Sequence, residues 1–244
     1  MDDWFNILAA GSALTPERAR ELDEHGFVVL PGVVSAGRLD RLGQAYDAAV
    51  ASADEDDVRV GSTTTRVTDF VNRGAEFDAL YVFPPLLEAC HHRIGRPFKL
   101  SSLHARTLRP HAAAQALHVD VRRESADWPL VGFILMVDAF RPDNGATRFV
   151  PGSHRWPGGP PDVMPDATAD HADQVLARGA AGSLVIFDGS AWHGHTANES
   201  ARARRSLQGA FIPRGGRAGT DFAARMSPET AVRLSPVARW VLAL

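Results

Sequence analysis

The stretch Lys99-Leu100-Ser101-Ser102-Leu103-His104-Ala105-Arg106-Thr107-Leu108 marks a change of texture in the chain. Before it the sequence reads as helices; from Phe98 onward it reads as short strands. Residues 99–108, 131–137, 148–150, 183–187, 191–196 and 206–212 carry strand patterns separated by Gly, Pro, Asn and Asp. Short strands in succession after a helical start predict a mainly β fold with flanking α-helices. The expected form is a double-stranded β-helix, a jelly roll of the cupin-like kind.

Upstream, Thr15-Pro16 reads as an N-cap and first helical residue, and Gly26 as the helix end. Ala19 and Leu22 supply that helix's apolar stripe. Phe27–Leu30 is a strand, and Ser35 opens a second helix with Leu39, Leu42, Tyr46 and Ala49 at helical spacing. Residues 54–57 are acidic and read as a solvated loop. A third helix is expected over Pro84–Ile94, closed by Gly95. Residues 156–173, rich in Pro, Gly and Asp, are too long for a tight turn and read as a lid or insertion. The tail over residues 228–244 predicts one or two helices, with Val232, Val237, Trp240 and Val241 facing inward. No internal repeat is visible. The expected organisation is one domain over 1–244, helical over about 14–95, with a jelly-roll core over about 98–215.

Composition narrows the function classes. The 244 residues are 45% hydrophobic and 23% charged, which suits a globular protein, and the formal net charge of -3 draws it to neither nucleic acid nor anionic lipid. Cys90 is alone, so no disulfide can form within the chain. Met1-Asp2-Asp3-Trp4 lacks the basic start of a signal peptide, and no apolar run has the length of a membrane span. A cytoplasmic setting with a small-molecule substrate is expected, with no nucleic acid and no membrane partner; oligomeric state is not legible.

His118-Val119-Asp120 carries the chemistry. Residues two apart on a strand share a face, so this imidazole and carboxylate can grip one ion. A third ligand must come from another strand, and His193 and His195, which share a face by parity, are the candidates. Two histidines and one carboxylate that leave positions open suit a non-haem Fe(II) oxygenase. Downstream, Arg204-Arg205 follows. Parity puts Arg204, Ser206 and Gln208 on one polar face and turns Arg205 away toward a surface ion pair.

Four segments together resemble the phytanoyl-CoA dioxygenase family of Fe(II)/2-oxoglutarate oxygenases. They are Leu14-Thr15 through Gly26-Phe27-Val28-Val29-Leu30-Pro31-Gly32-Val33, Gln115-Ala116-Leu117-His118-Val119-Asp120, Asn144 through Pro151-Gly152-Ser153-His154, and Gly182 through His193-Gly194, Asn198 and Arg204. The resemblance implies that His118, Asp120 and His193 ligate iron. His193 precedes Asn198 at the family's usual offset, and His195 stands where a small residue is usual. It implies that Arg204 holds the distal carboxylate of 2-oxoglutarate, a role suited to a guanidinium fork. Gln115, Arg106 and Thr147 follow as further candidates for co-substrate contact. The implied reaction consumes 2-oxoglutarate and O2, releases succinate and CO2, and hydroxylates an unactivated C–H bond of a small organic molecule. Desaturation, epimerisation and ring formation share its first steps, and Asp120 speaks against halogenation. The alternative class is a non-oxygenase jelly-roll protein that binds metal or regulates. The Ala- and Arg-rich composition suggests a bacterial tailoring enzyme of secondary metabolism. No basic cluster suited to the phosphates of coenzyme A is visible.

Other residues have plainer readings. Cys90-His91-His92 diverge around a helix and do not converge on an ion. Ser153 and His154 belong to a turn. Trp128 and Trp192 fill the core. Arg122 and Arg123 sit in a charged loop, and His104 shares the face of Arg106.

Overall fold

The computed structural model describes residues 3–123 and 129–244; Trp128 lies outside them. The helical part comes first. Helix α1 (Trp4–Ala9) precedes α2 (Pro16–His25), which begins as predicted: Thr15 Oγ1 accepts from Arg18 N at 3.3 Å. Gly26 ends α2 at φ +82°, a conformation that costs a residue without a Cβ nothing. Its bare Cα also leaves room for the His154 ring, which a Cβ would meet at 2.5 Å. Strand β1 (Phe27–Leu30) and helix α3 (Ala36–Ala51) follow. Strands β2 (Val58–Val60) and β3 (Thr64–Val67) then form a hairpin. Helices α4 (Asp78–Tyr81) and α5 (Pro84–Ile94) complete this half.

The second half supplies β4 (Phe98–Leu108), β5 (Val131–Met136) and β6 (Thr147–Phe149), then the short helix α6 (Pro160–Val163). Strands β7 (Val175–Ala177), β8 (Leu184–Asp188), β9 (His193–His195) and β10 (Arg204–Pro213) come next. Helices α7 (Phe222–Arg225), α8 (Pro228–Arg233) and α9 (Pro236–Val241) close the chain. Seven strands form one antiparallel sheet in the order β1-β8-β5-β10-β4-β3-β2, and β7-β6-β9 form a second. This is the expected jelly roll.

The large sheet has two unlike faces. Leu103, Ala105, Leu135 and Leu207 point outward, into a core shared with Leu42, Tyr46, Leu87 and Trp240 of the helices. The opposite face meets the small sheet through Ile134, Met136, Val185 and Phe187, packed on Phe27, Phe140 and Phe149. Strand alternation makes this division: successive residues of β10 must serve opposite faces.

Three local expectations are corrected, and three strands go unpredicted. The hairpin β2–β3 and strand β7 escape the pattern because they are short and only partly buried. Residues 54–57 are not wholly solvated: Asp57 is buried and paired with Arg73 at 2.8 Å and Arg225 at 2.9 Å. Val232 is 87% exposed, because α8 packs through Thr230, while Trp240 and Val241 do face inward. Residues 156–173 are anchored: Trp156 meets Trp192 edge-on at 5.1 Å, and none of them lines the cavity at the site.

Candidate metal centre

The site lies between the two sheets. His118 is joined to β9 by a bridge in which His118 N donates to His193 O at 2.9 Å and His193 N to His118 O at 3.0 Å. Two residues on, Asp120 N donates to Gly189 O at 2.8 Å. Gly194 permits the close approach of this segment: a Cβ there would lie 3.0 Å from the carbonyl oxygens of both Gln115 and Ala116.

These constraints bring His118, Asp120 and His193 together, with one ligand atom from each lying within 4.8 Å of the others. Each histidine Nε2 stands 3.8 Å from an Asp120 oxygen. Both imidazoles are turned the same way. Nδ1 of His118 donates to Ala116 O at 3.1 Å and Nδ1 of His193 to Ala191 O at 2.9 Å. With the proton on Nδ1, each Nε2 lone pair faces the carboxylate, the arrangement a metal-binding histidine needs. Burial, and then the neighbouring His193, push His118 down to about 4, so it is neutral near pH 7. This is the only such group among the described residues.

His195 lies on the face of His193, as parity required, but it is not a member of this trio. Its Nδ1 donates to Thr196 O at 2.9 Å, its Nε2 lies 3.4 Å from Thr63 Oγ1, and burial pushes it down to about 4. The arginine pair splits as expected. Arg205 turns outward to Asp138 at 2.8 Å and Asp47 at 2.7 Å. Arg204 turns inward, 2% exposed, with Cζ 3.9 Å from the centre of the Phe140 ring. Its Nε and Nη1 have no hydrogen-bond partner. Burial, aided by Arg106, lowers it to about 9. A buried guanidinium with idle donors is costly unless an anion completes it.

A cavity of about 310 Å³ joins the trio to Arg204. Gln115, Arg106 and Thr147 all line it. Arg106 is held at the cavity: its Nη2 donates to Gln115 Oε1 at 2.9 Å and its Nη1 to Gln208 Oε1 at 3.3 Å. Thr147 stands opposite His195 across β6–β9. Leu130, Ile134 and Phe187 supply apolar wall.

Two residues escaped the sequence reading. Arg66 of β3 also lines the cavity. Arg148 is 1% exposed and ties residues 168–170 to the metal segment, donating to Gln115 O at 2.9 Å, Thr168 O at 3.1 Å and Asp170 Oδ1 at 2.9 Å. A lone arginine inside the apolar run Thr147-Arg148-Phe149-Val150 was the available signal. The plainer readings stand elsewhere: Ser153 Oγ accepts from Trp192 N at 2.8 Å, His92 pairs with Asp23 at 2.9 Å, Trp192 is core, and Arg122 pairs with Asp162.

A jelly roll that gathers two histidines and one carboxylate at one end of a cavity, and an idle buried arginine in its wall, defines a class: non-haem iron, 2-oxoglutarate-dependent dioxygenases. Residues 22–206 match the model of that class's phytanoyl-CoA dioxygenase (PhyH) family, and the chain belongs to this family. It is 27% identical over 241 residues to dioxygenase af480 of Aspergillus fumigatus, covering 91% of this chain and 75% of that one. It is likewise 27% identical over 218 residues to dioxygenase trt7 of Aspergillus terreus, covering 82% and 74%. Among solved structures it resembles the 2-oxoglutarate-dependent carbocyclase SnoK from nogalamycin biosynthesis, with TM-score 0.68, 19% identity, and 89% and 92% of the two chains covered. HygX of Streptomyces hygroscopicus, solved with nickel and 2-oxoglutarate, gives TM-score 0.67 at 17% identity over 83% and 89%. These two likenesses speak to fold. The relatives named by sequence are fungal, so the bacterial origin suggested by composition gains no support from them. No helix of the described residues is long and apolar enough to cross a membrane.

Proposed function

We propose that this protein hydroxylates an unactivated C–H bond of a small organic molecule, with His118, Asp120 and His193 holding Fe(II) and Arg204 anchoring 2-oxoglutarate. When bound, the iron, keto acid and O2 supply the oxidising power, with succinate and CO2 as co-products. The whole chain, 1–244, acts as one oxygenase domain.

The protein's own part is placement and charge. The Ala116 and Ala191 carbonyls hold both imidazoles with Nε2 forward. Asp120 offsets part of the metal's charge and leaves coordination positions free. Arg204 offers its unpartnered donors to the far carboxylate of the keto acid, in a site where desolvation strengthens that bond. Gln115 and Gln208 keep Arg106 turned into the cavity, and Leu130, Ile134 and Phe187 limit water there.

One observation carries the reading: the metal trio and the idle, buried Arg204 share one cavity. A metal-binding regulator has no use for the second half of that pairing. The test is anaerobic titration of the Fe(II)-loaded protein with 2-oxoglutarate. A visible charge-transfer band is expected, followed in air by succinate release coupled to substrate loss. Iron-loaded protein that forms no band overturns the reading. Product mass separates hydroxylation, a gain of one oxygen, from desaturation or ring formation, a loss of two hydrogens.

A further inference from the structure

The sheet places three arginines on one lateral row. Arg59 of β2 stands opposite Arg66 of β3, and Arg66 stands opposite Arg106 of β4. Directly opposed residues in antiparallel strands project to the same side, and neighbouring strands lie ~4.8 Å apart, so the row spans roughly 10 Å. Like charges placed directly opposite each other destabilise a sheet. No carboxylate forms an ion pair with this row among the described residues; Asp120 reaches Arg106 only through its field. Arg59 donates only to the carbonyls of Asp56 at 2.7 Å and Val58 at 3.0 Å, and the Arg66 side chain has no hydrogen bond or ion pair among the described residues. Arg106 bonds two amide oxygens, and its buried Nε has no partner.

The row also stands where two cavities meet. The cavity of the metal trio includes Arg66 and Arg106. An outer chamber of about 470 Å³ shares Arg66, Arg106 and Gln115, and adds Arg59 and the turn Gly61 to Thr64. Among the described residues no acidic side chain lines the outer chamber, and Asp120 alone lines the inner one. Charge counting then separates two ligands. Ferrous iron and Arg204 balance Asp120 and the two carboxylates of 2-oxoglutarate. Even with Arg106 meeting the co-substrate, the positive charges of Arg59 and Arg66 are left over.

The geometry points to a primary substrate that carries an anionic group, a carboxylate or a phosphate, held by the Arg59–Arg66–Arg106 row while its reactive carbon faces the metal. Arg59 and Arg66 are the specificity-determining residues. They stand at the exposed end of the row, where approaching anions are met first. The word substrate rests on the oxygenase reading; the anion site rests on the row and the chamber alone.

The test uses the full chain loaded with Fe(II) and saturating 2-oxoglutarate without oxygen. Calorimetric titrations are run with phenyl phosphate and with phenylacetate. At least one should bind, with Arg66→Gln weakening it about tenfold, the effect of losing one charge-assisted contact. Arg66→Lys should recover part of that loss, and Arg59→Gln should add to it. The band formed with 2-oxoglutarate should titrate within about twofold of wild type in Arg66→Gln, as expected for a residue outside the co-substrate's contacts. Phenyl phosphate alone binding assigns a phosphorylated substrate, and phenylacetate alone a carboxylic acid. Binding of neither anion, equal binding by Arg66→Gln, or a loss confined to 2-oxoglutarate overturns the proposal. Absence of the band would sink the oxygenase reading only, since the anion titration reads the row directly.

Discussion

The two faces of the seven-stranded sheet show how one strand serves stability and chemistry at once. On the helix side, Leu207 of β10 is fully buried between Ala105 and Leu135. On the cavity side, Arg204 and Ser206 are just as buried, yet polar. Equal burial therefore has opposite meaning. The apolar face gains from leaving water, whereas on the polar face Ser206 is satisfied by Arg106 O and Arg204 bears a desolvation cost that no internal bond relieves at Nε or Nη1. Arg204 and Arg205 put the contrast in adjacent residues: one has idle donors in a cavity, the other has two aspartates at the surface.

The contrast is broken most directly at the metal trio. Asp120→Ala should abolish iron retention and turnover while leaving thermal stability of the metal-free protein unchanged or raised, as read by metal analysis and melting. A folding defect would mean that the cavity face is structural after all. On the other face, Leu207→Ala should cost about 2–5 kcal/mol in denaturant unfolding through the cavity it leaves. The folded fraction should still bind iron. Next in size comes the arginine pair. Arg204→Ala should raise the 2-oxoglutarate KM about 100-fold, the worth of a charge-assisted fork, and spare iron binding. Arg205→Ala should leave that KM unchanged and lose at most about 1 kcal/mol, since its ion pairs are partly exposed. An unchanged KM in Arg204→Ala would move the co-substrate elsewhere.

The smallest effect concerns pH. Burial, then Arg66 and Arg106, push His104 down to about 3, with Asp120 opposing them. The unfolded chain takes up this proton near pH 6.5 and the folded chain does not until near pH 3. Stability is thus unaffected above pH 6.5 and falls as pH drops through that window. His104→Gln should make the decline shallower in metal-free protein, measured by unfolding between pH 6.5 and 4. An unaltered slope would mean that neither burial nor the two arginines depress His104 in the folded chain.

Much of the architecture was legible because its signals are local. Thr15-Pro16 and Gly26 bound α2, Pro84 and Gly95 bound α5, and alternating burial runs the length of β4. The β2–β3 hairpin was not legible, since strands this short and exposed make no periodic pattern. Arg66 was lost with it.

The residues of the chain by themselves determined the ligand types, the pairing of His118 with Asp120, and the opposed directions of Arg204 and Arg205, because strand parity acts between near neighbours. Which distal histidine joins the trio was settled by the bridge that sets His193 across from His118 and leaves His195 one step further along. The arginine row has the same origin. Arg59, Arg66 and Arg106 are scattered in the chain, and only register between three strands makes them one charged surface. Parity is written within a strand; register depends on hydrogen bonds formed between distant ones.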